Sequence, residues 1–432
     1  MKKAASFALG CKVNQYESEA IAELFAEKGY EIVGIDEEAD VYVINTCTVT
    51  NFGDKKSRQL IRKVKRQNEN AIVAVVGCYA QTAPKELMEI AGVNLVIGTK
   101  DRAQIVEMVE QYDRANGVEN HVSDIMKERV FEPLSIQKLA NRTRAYLKIQ
   151  DGCSQYCSYC IIPYARGPIR SREPQEVVAE VKRLAENGFK EVVLTGIHVA
   201  SYGKDRRDTS LLDILKQVHE VEGIERIRFS SIEPNVVTEE FAQTMAALPK
   251  VCDHFHLSLQ SGCDKTLKEM NRKYDTEKYR QAVATLRKYL PKVALTTDII
   301  VGFPGETEED FRESYAFAEE IGFAKIHVFP YSPKRGTPAA ARKDQLLNAV
   351  KSERSHTLIQ LSDRMAADFL ADAVGTDAEV LYERAVGDGI YEGHTTNYMK
   401  VHGRSEADLT NRIAKTHITR AEGEMLFGDV EA

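Results

Sequence analysis

Along the first 130 residues, short runs rich in β-branched residues alternate with stretches whose apolar positions recur every three or four. "SFAL" leads into "SEAIAELFAEKG", where Ile21, Leu24 and Phe25 share a helical face. "EIVGI" and "DVYVINT" are followed by a helix, "AIVAVVG" by a second and "NLVIG" by a third. This alternation predicts a mostly parallel sheet covered by helices. The polar stretch 116–141 reads as a linker. A second alternation then predicts strands at 146–150, 191–196, 226–232, 254–259, 293–302 and 325–331. Its first crossover helix, "PQEVVAEVKRLAENG", begins with proline and has glycine just past its end. Six such units fall short of the eight in a closed barrel, so the expectation is an open partial (β/α)6 barrel that works at the carboxyl ends of its strands. A helical stretch at 342–370 leads into short β-like runs broken by glycine and polar turns, a small β-barrel. The class is α/β, and the expected domains are 1–130, 140–365 and 368–432.

Composition narrows this picture. The 432 residues suit two to three domains. With 43% hydrophobic and 28% charged residues the chain is globular in character, and no apolar run approaches the ~20 residues that span a bilayer. The start, "MKKAASFALGCKVNQ", returns to polar residues too soon for a secretory signal. The chain is therefore expected to be cytoplasmic, with no membrane contact. A net charge of −7 excludes a globally basic nucleic-acid binder while allowing a local basic patch.

Cysteines carry the candidate chemistry. Eight of them in a cytosolic chain argue for metal binding or catalysis rather than disulfides. Cys153, Cys157 and Cys160, in "DGCSQYCSYC", form CxxxCxxC with no histidine nearby, in the loop after the first strand of the second alternation. Structural zinc takes four protein ligands, usually paired CxxC or Cys/His motifs. A [4Fe-4S] cluster held by three thiolates instead keeps its fourth iron open to a small molecule. S-adenosylmethionine suits that place, because an electron from the cluster cleaves it to a radical. Cys11, Cys47 and Cys78 each stand at the carboxyl end of an expected strand. Singly they read as small core residues; together they lie on the edge where open α/β sheets bind ligands, and a second three-thiolate site becomes plausible.

With Tyr159 just before its last cysteine, CxxxCxxC resembles the signature of the radical S-adenosylmethionine superfamily. The resemblance implies that Tyr159 lines the adenine pocket. It also implies that Gly196 in "LTGIHV", Glu233 in "SSIEPN", Gln260 in "HLSLQSG" and Gly302 in "DIIVGFPGET" hold the rest of the cofactor, although each is equally readable as turn chemistry. "LTGIHV" departs from the glycine-glycine-acid run common there. The contexts "LGCKVNQYESE", "NTCTVTN" and "VVGCYAQ" resemble the methylthiotransferase branch, in which an N-terminal domain carries a second cluster. That implies Cys11, Cys47 and Cys78 as ligands of a second [4Fe-4S] cluster whose open iron holds the sulfur to be inserted. Cys252 and Cys263 match no ligand position and are expected to be structural.

The substrate is read from charge and from the same resemblance. Residues 51–66, "NFGDKKSRQLIRKVKR", hold seven basic residues against one acid, and Lys55, Arg58, Arg62 and Arg66 share a helical stripe. A solvated helix face explains such a stripe too; its place just after Cys47 favours RNA phosphates, with Arg166, Arg170 and Arg172 extending the track. The tail resembles the TRAM-like RNA-binding barrel of methylthiotransferases. From Phe369 onward it has six Lys/Arg against twelve Asp/Glu, so RNA contact has to come from one face, around Tyr398 and Lys400. Within the branch, the motifs look like enzymes acting on N6-threonylcarbamoyladenosine at tRNA position 37. Relatives acting on isopentenyladenosine or on a ribosomal-protein aspartate carry different residues after the first cysteine. The resemblance thus implies transfer of a methylthio group to carbon 2 of that adenine, in the anticodon loop of ANN-decoding tRNAs, with a protein as electron donor. It further implies two molecules of S-adenosylmethionine, one methylating sulfur and one yielding a 5′-deoxyadenosyl radical, and no general acid or base. A non-catalytic iron-sulfur RNA-binding regulator would keep the thiols and the stripe without needing the glycine-rich strand ends.

Overall fold

The computed structural model describes residues 1–136 and 143–431. Strands β1 (Lys3–Ala8), β2 (Glu31–Ile32), β3 (Val41–Thr46), β4 (Ile72–Gly77), β5 (Leu95–Val96) and β6 (Glu119–Asn120) form one parallel sheet in the order β2-β1-β3-β4-β5-β6. β3 and β4 read as nearly unbroken apolar runs because helices cover both faces. On one face α1 (Lys12–Glu27) sets Ile21 and Phe25 against Ala4, Val41 and Val43; on the other α2 (Asn51–Gln67) sets Ile61 and Val64 against Tyr42, Ile44 and Val75. Strand order reverses between β1 and β3, so the chain leaves their carboxyl ends toward opposite faces and opens a crevice there.

The stretch expected as a linker is partly built into the structure. β6 adds an edge strand to the sheet, and Leu134 and Ile136 are buried in the next core. A two-residue edge strand has no period to read, which is why polarity alone suggested a linker. The end of that stretch and the start of the expected 140–365 unit fall at 137–142, outside the described residues.

Beyond them, β7 (Arg144–Asp151), β9 (Glu191–Gly196) and β10 (Arg226–Phe229) pair in parallel, as do β11 (His254–His256), β12 (Ala294–Val301) and β13 (Lys325–Pro330). Bridges from Ile227 to Val251 and from Ile232 to Leu257 join the two ladders into an open arc of parallel strands. β8 (Arg170–Ser171) is an unforeseen antiparallel return on the outer edge of β7. β12 alternates buried Leu295, Thr297 and Ile299 with half-buried Thr296 and Asp298, so one face joins the apolar core and the concave face stays polar. The crossover helix expected after proline is α5 (Pro174–Glu186), preceded by the short α3 (Cys78–Thr82) and α4 (Ile162–Arg166). α6 (Asn348–Ala371) packs Leu358 and Leu361 into the central core and delivers the chain to a closed barrel. The barrel runs β14 (Asp377–Gly387), β15 (Ile390–Thr395), β16 (Lys400–Arg404), β18 (Met425–Val430), β17 (Arg412–Glu422), around Val380, Tyr382, Val401, Ile418 and Leu426. Among the described residues no helix is long and apolar enough to cross a membrane.

Two polar contacts lock these parts together. Arg226 donates to the carbonyls of His394 (2.8 Å) and Glu379 (2.9 Å), and Arg228 to those of Thr396 and Thr395 (both 2.7 Å), which seats the barrel on β10. The other contact is centred on α1, which has two buried faces: Tyr16 and Ala20 enter the central core while Ile21 and Phe25 enter the sheet core. Between them Glu17 is fully buried. It accepts from Lys148 Nζ (2.8 Å) and from Arg166 Nη1 and Nη2 (2.5 and 3.0 Å), and pairs with Arg102 Nη1 (2.5 Å). Burial works to raise its carboxyl, but Arg102, Arg166 and Lys148 hold it well below the usual carboxylate range.

Glu17→Gln removes the charge on which three buried cations converge. It is expected to cost about 3–5 kcal/mol of stability at neutral pH, read by denaturant or thermal unfolding. Because the folded pKa lies below the unfolded value of about 4.3, the contribution of Glu17 is complete above that pH and fades as pH falls toward the folded value. The gap between parent and variant therefore narrows on acidification, and a gap that is small or independent of pH would contradict the assignment.

Candidate active site

Cys11 caps α1 directly after β1, Cys47 follows β3, and Cys78 opens α3 after β4, so all three stand at the crevice where strand order reverses. Gly10 permits the close approach. It has φ +97°, and a Cβ there would sit 2.7 Å from Cys47 Sγ. Asn14 ties the strand ends together, its amide donating to Leu9 O (2.8 Å) and Thr46 O (3.1 Å). Its Oδ1 accepts from Arg166 Nη2 (2.7 Å), and Arg166 Nε lies 3.1 Å from Cys78 Sγ. Burial, with Cys78 nearby, pushes the Cys47 thiol up to about 12; burial also raises Cys11, against the pull of Arg166.

Cys153, Cys157 and Cys160 occupy a loop clamped to a distant turn. Ser158 N–H donates to Met270 O (3.0 Å), Asn271 Nδ2 to Tyr156 O (2.8 Å), and Cys153 N–H to Gly167 O (3.0 Å). Gly152, at φ +72°, has Pro168 O where a Cβ would go, 1.9 Å away, so the chain enters the loop through a position that only glycine fits. Arg272 donates from Nη1 to Cys157 Sγ (3.1 Å) and from Nη2 to Glu233 (2.8 Å). Burial, reinforced by Cys157, lifts Cys160 to about 12 and Cys153 to about 11.

Among the described residues no three His, Cys, Asp or Glu side chains converge on a point suited to a single metal ion. A cubane spreads its thiolates over separate irons, and sets of three thiols without imidazole suit it better than they suit zinc. In each set one guanidinium lies beside one sulfur, the kind of outer contact that compensates thiolate charge. Thiols held protonated by burial yield their protons to a cationic centre.

Of the residues expected around the cofactor, Tyr159 and Gln260 meet directly, Tyr159 Oη donating to Gln260 Oε1 (3.0 Å). Tyr159 also packs against an apolar wall of Met270, Phe303, Tyr331 and Ala339. Glu233 is bound to Arg272, to His198 Nε2 (3.1 Å) and to Gln155 Nε2 (3.2 Å). Burial works to raise its carboxyl, but His198 and Arg272 hold it below the usual range. Gly196 ends β9 next to the cavity described below. Gly302 precedes Phe303 of the apolar wall and donates its N–H to the Glu306 carboxylate (3.1 Å).

A cavity of about 900 Å³ opens between the start of α1, the concave face of the arc and the barrel. Cys11, Lys12, Ile162 and Gly196 line it, as do His254, Tyr398 and Lys400. The Tyr398 ring stacks on His254 and His394, 4.9 Å from each, with the guanidiniums of Arg228 and Arg144 at 4.7 and 5.2 Å. The two barrel residues expected to touch RNA thus face inward to the cavity. On α2, Lys55, Arg62 and Arg66 are exposed, whereas Arg58 is half-buried and donates to Tyr79 Oη (2.9 Å). The helix leaves the crevice and runs back along the sheet, so from Lys55 to Arg66 the stripe recedes by about 16 Å.

Arg166, Arg170 and Arg172 do not extend this track; all three are buried. Arg166 serves Glu17, Arg170 donates to Arg166 O (2.9 Å) and Pro168 O (3.0 Å), and Arg172 pairs with Glu180 (2.5 Å). Guanidiniums matched to buried carboxylates and carbonyls are unavailable to phosphate. Cys252 and Cys263 are buried, the first beside Arg226 and Arg228, the second 3.6 Å from Asp310. Sequence reasoning overlooked Arg272 and His198, because nothing local links Arg272 to a cysteine 115 positions earlier.

Comparison with known proteins agrees with this geometry. Residues 147–318 match the radical SAM superfamily, and residues 3–98 match a family described as uncharacterized protein family UPF0004. A Bacillus subtilis (strain 168) protein named threonylcarbamoyladenosine tRNA methylthiotransferase MtaB is 47% identical over 98% of this chain and 94% of its own. A protein of the same name from Aquifex aeolicus is 39% identical over 88% and 92%. A tRNA-2-methylthio-N(6)-dimethylallyladenosine synthase from Moorella thermoacetica is 36% identical over 98% and 96%. Among solved structures, the radical S-adenosylmethionine methyltransferase TsrM from Kitasatospora setae, with cobalamin and a [4Fe-4S] cluster bound, shares the fold. Its TM-score is 0.58 at 17% identity, over 79% of this chain and 74% of that one. The chain belongs to the radical S-adenosylmethionine methylthiotransferase family.

Proposed function

We propose that this chain is a tRNA-modifying enzyme that adds a methylthio group to carbon 2 of N6-threonylcarbamoyladenosine at position 37. Its substrate is the anticodon loop of ANN-decoding tRNAs in the cytoplasm, and a separate protein supplies electrons. Relatives named for threonylcarbamoyladenosine, the first of them 47% identical, support that nucleoside over the dimethylallyl one. The observation that carries the reading is one cavity lined both by Cys11 and by Ile162, two positions past Cys160, with Gly196 beside them.

The family uses S-adenosylmethionine and a [4Fe-4S] cluster. Cys153, Cys157 and Cys160 would hold that cluster, and Cys11, Cys47 and Cys78 a second. When bound, these groups supply one-electron cleavage of S-adenosylmethionine and the sulfur to be transferred. The rest is work for this chain's own residues. Arg272 and Arg166 offset thiolate charge in the two sets. Tyr159, Gln260 and the Phe303 wall would flank an adenine, with Glu233, Gly196 and Gly302 framing the same strand ends. Tyr398, between His254 and His394, offers a stacking surface for a base drawn into the cavity. Lys55, Arg62 and Arg66, with Arg58 in part, would hold the RNA backbone outside, and Lys400 would do so at the mouth. On this reading 1–130 carries the second cluster, 140–365 the radical chemistry and 368–432 an RNA-binding barrel of TRAM type.

Mass spectrometry of tRNA nucleosides tests the reading. Cells lacking the protein are expected to lose 2-methylthio-N6-threonylcarbamoyladenosine, and the parent chain, but not Cys157→Ala, to restore it. Loss of the isopentenyl counterpart instead would keep the chemistry and change the acceptor; no change in either nucleoside would count against an RNA acceptor.

Gly10→Ala is expected to displace Cys47 and cost the second cluster alone. Iron per anaerobically reconstituted chain falls from about eight to about four. Iron unchanged near eight would refute the need for glycine at position 10, and iron near four in the parent chain would refute a cluster at that crevice.

A further inference from the structure

Among the described residues, the lysines that line the cavity are paired with carboxylates, with one exception. Lys325 is held by Asp363 (3.2 Å) and Glu424 (2.5 Å), Lys400 lies 3.7 Å from Glu392, and Asp298 lies 3.3 Å from His256 Nε2. Burial lowers the pKa of His254 and of His327 below the ordinary imidazole value, which disfavours their charged forms. Lys12, next to Cys11 on the first turn of α1, is exposed in the cavity and forms no hydrogen bond or ion pair among the described residues; its Nζ lies over the Tyr146 ring, 5.9 Å from the centroid. The neighbouring arginines are engaged elsewhere. Arg144 pairs with Glu191 (2.5 Å) and Glu383 (2.9 Å), and Arg228 with Glu191 (2.8 Å) and the barrel carbonyls. Lys12 is therefore the lining ammonium group left without a carboxylate partner among the described residues, on the wall that also holds Cys11; burial, with Arg144 and Arg228 nearby, works against its charge, so an entering anion would relieve it.

We infer that Lys12 reads the carboxylate of the threonylcarbamoyl group, and so separates this nucleoside from adenines whose N6 substituent is uncharged. The inference rests on the substrate proposed above. Carbon 2 and N6 lie on the same edge of adenine, on either side of N1, so a ring that presents carbon 2 toward Cys11 brings its N6 substituent to the same wall. A carboxylate entering there loses water and needs a cation. An apolar substituent would instead strip water from the Lys12 ammonium and give nothing back, so the one residue both attracts the right nucleoside and penalises the wrong one.

Binding to the reconstituted holoenzyme tests this with anticodon stem-loop RNAs whose position 37 carries threonylcarbamoyladenosine, its methyl ester or isopentenyladenosine, at fixed salt. The parent chain is expected to bind the acid about tenfold tighter than the ester, the range of one charge-assisted hydrogen bond. Lys12→Met and Lys12→Gln should bind acid and ester alike, Lys12→Arg should keep the preference, and Lys325→Met should keep it too. Iron content identifies any variant that has lost its fold, and two neutral variants guard against that loss. A preference for the acid that survives in Lys12→Met and Lys12→Gln overturns the inference. Equal weakening of all three RNAs also overturns it, since Lys12 would then be meeting phosphate. Methylthiolation of the same RNAs by the parent chain separates the two proposals. Failure on the threonylcarbamoyl RNA with success on the isopentenyl one overturns both, whereas success on the former without carboxylate preference overturns Lys12 alone.

Discussion

Cations from three separate segments, Arg102, Lys148 and Arg166, converge on the carboxylate of Glu17, and the placement of both cysteine sets follows from that convergence. A buried ion pair adds little net stability compared with an apolar contact, but a broken one leaves charge stranded, so such a cluster permits few arrangements. Here the arrangement is relayed outward. Arg166 reaches from Glu17 to Asn14 and Cys78; Lys148 reaches from Glu17 to Asp151 (2.5 Å), whose Oδ1 accepts the N–H of Gly152 (2.8 Å) immediately before Cys153. One buried carboxylate on α1 thus stands in a polar chain with a cysteine on either side, in segments that share no sheet.

How much of this was legible beforehand depended on whether the controlling physics was local. The long strands and their helices were readable because apolar spacing is a local consequence of burial, and CxxxCxxC was readable because three ligands on one loop need a fixed spacing. β6 and β8 were missed because their residues, Glu119–Asn120 and Arg170–Ser171, are polar, whereas the equally short β2 and β5 lie in apolar runs. Arg166, Arg170 and Arg172 were assigned to an RNA-facing track because a charged residue in a sequence carries no mark of its counterion. Theirs are Glu17 on α1, Glu180 on α5 and Asp151 at the end of β7, and only the fold brings Glu17 and Asp151 to them. The same limit hid Arg272, whose contact with Cys157 depends on a turn more than a hundred positions downstream. Lys12 shows the converse: the residue was in plain view within "LGCKVNQ", but its lack of a partner is a property of the assembled cavity.

The barrel's acidic composition looked awkward for an RNA-binding module when read as a sum. In the structure the sum matters less than the face. Tyr398 lies among imidazoles and guanidiniums contributed mostly by the central strands, so the positive surroundings of the barrel's inner face come from its neighbour. Net charge is a long-range property, screened within about 10 Å in salt, while a stacked ring answers to what lies within a few ångströms.

The seating of the barrel has a further consequence. Arg226 and Arg228 grip it by the main-chain carbonyls of Glu379, His394, Thr395 and Thr396, groups that every amino acid possesses. The joint specifies a backbone path and leaves most of the barrel's side chains unconstrained. Such a joint behaves like a standard fitting: the outer surface can drift in charge and shape over evolutionary time, or be swapped for that of a related barrel, while the aromatic side turned toward the cavity keeps its alignment.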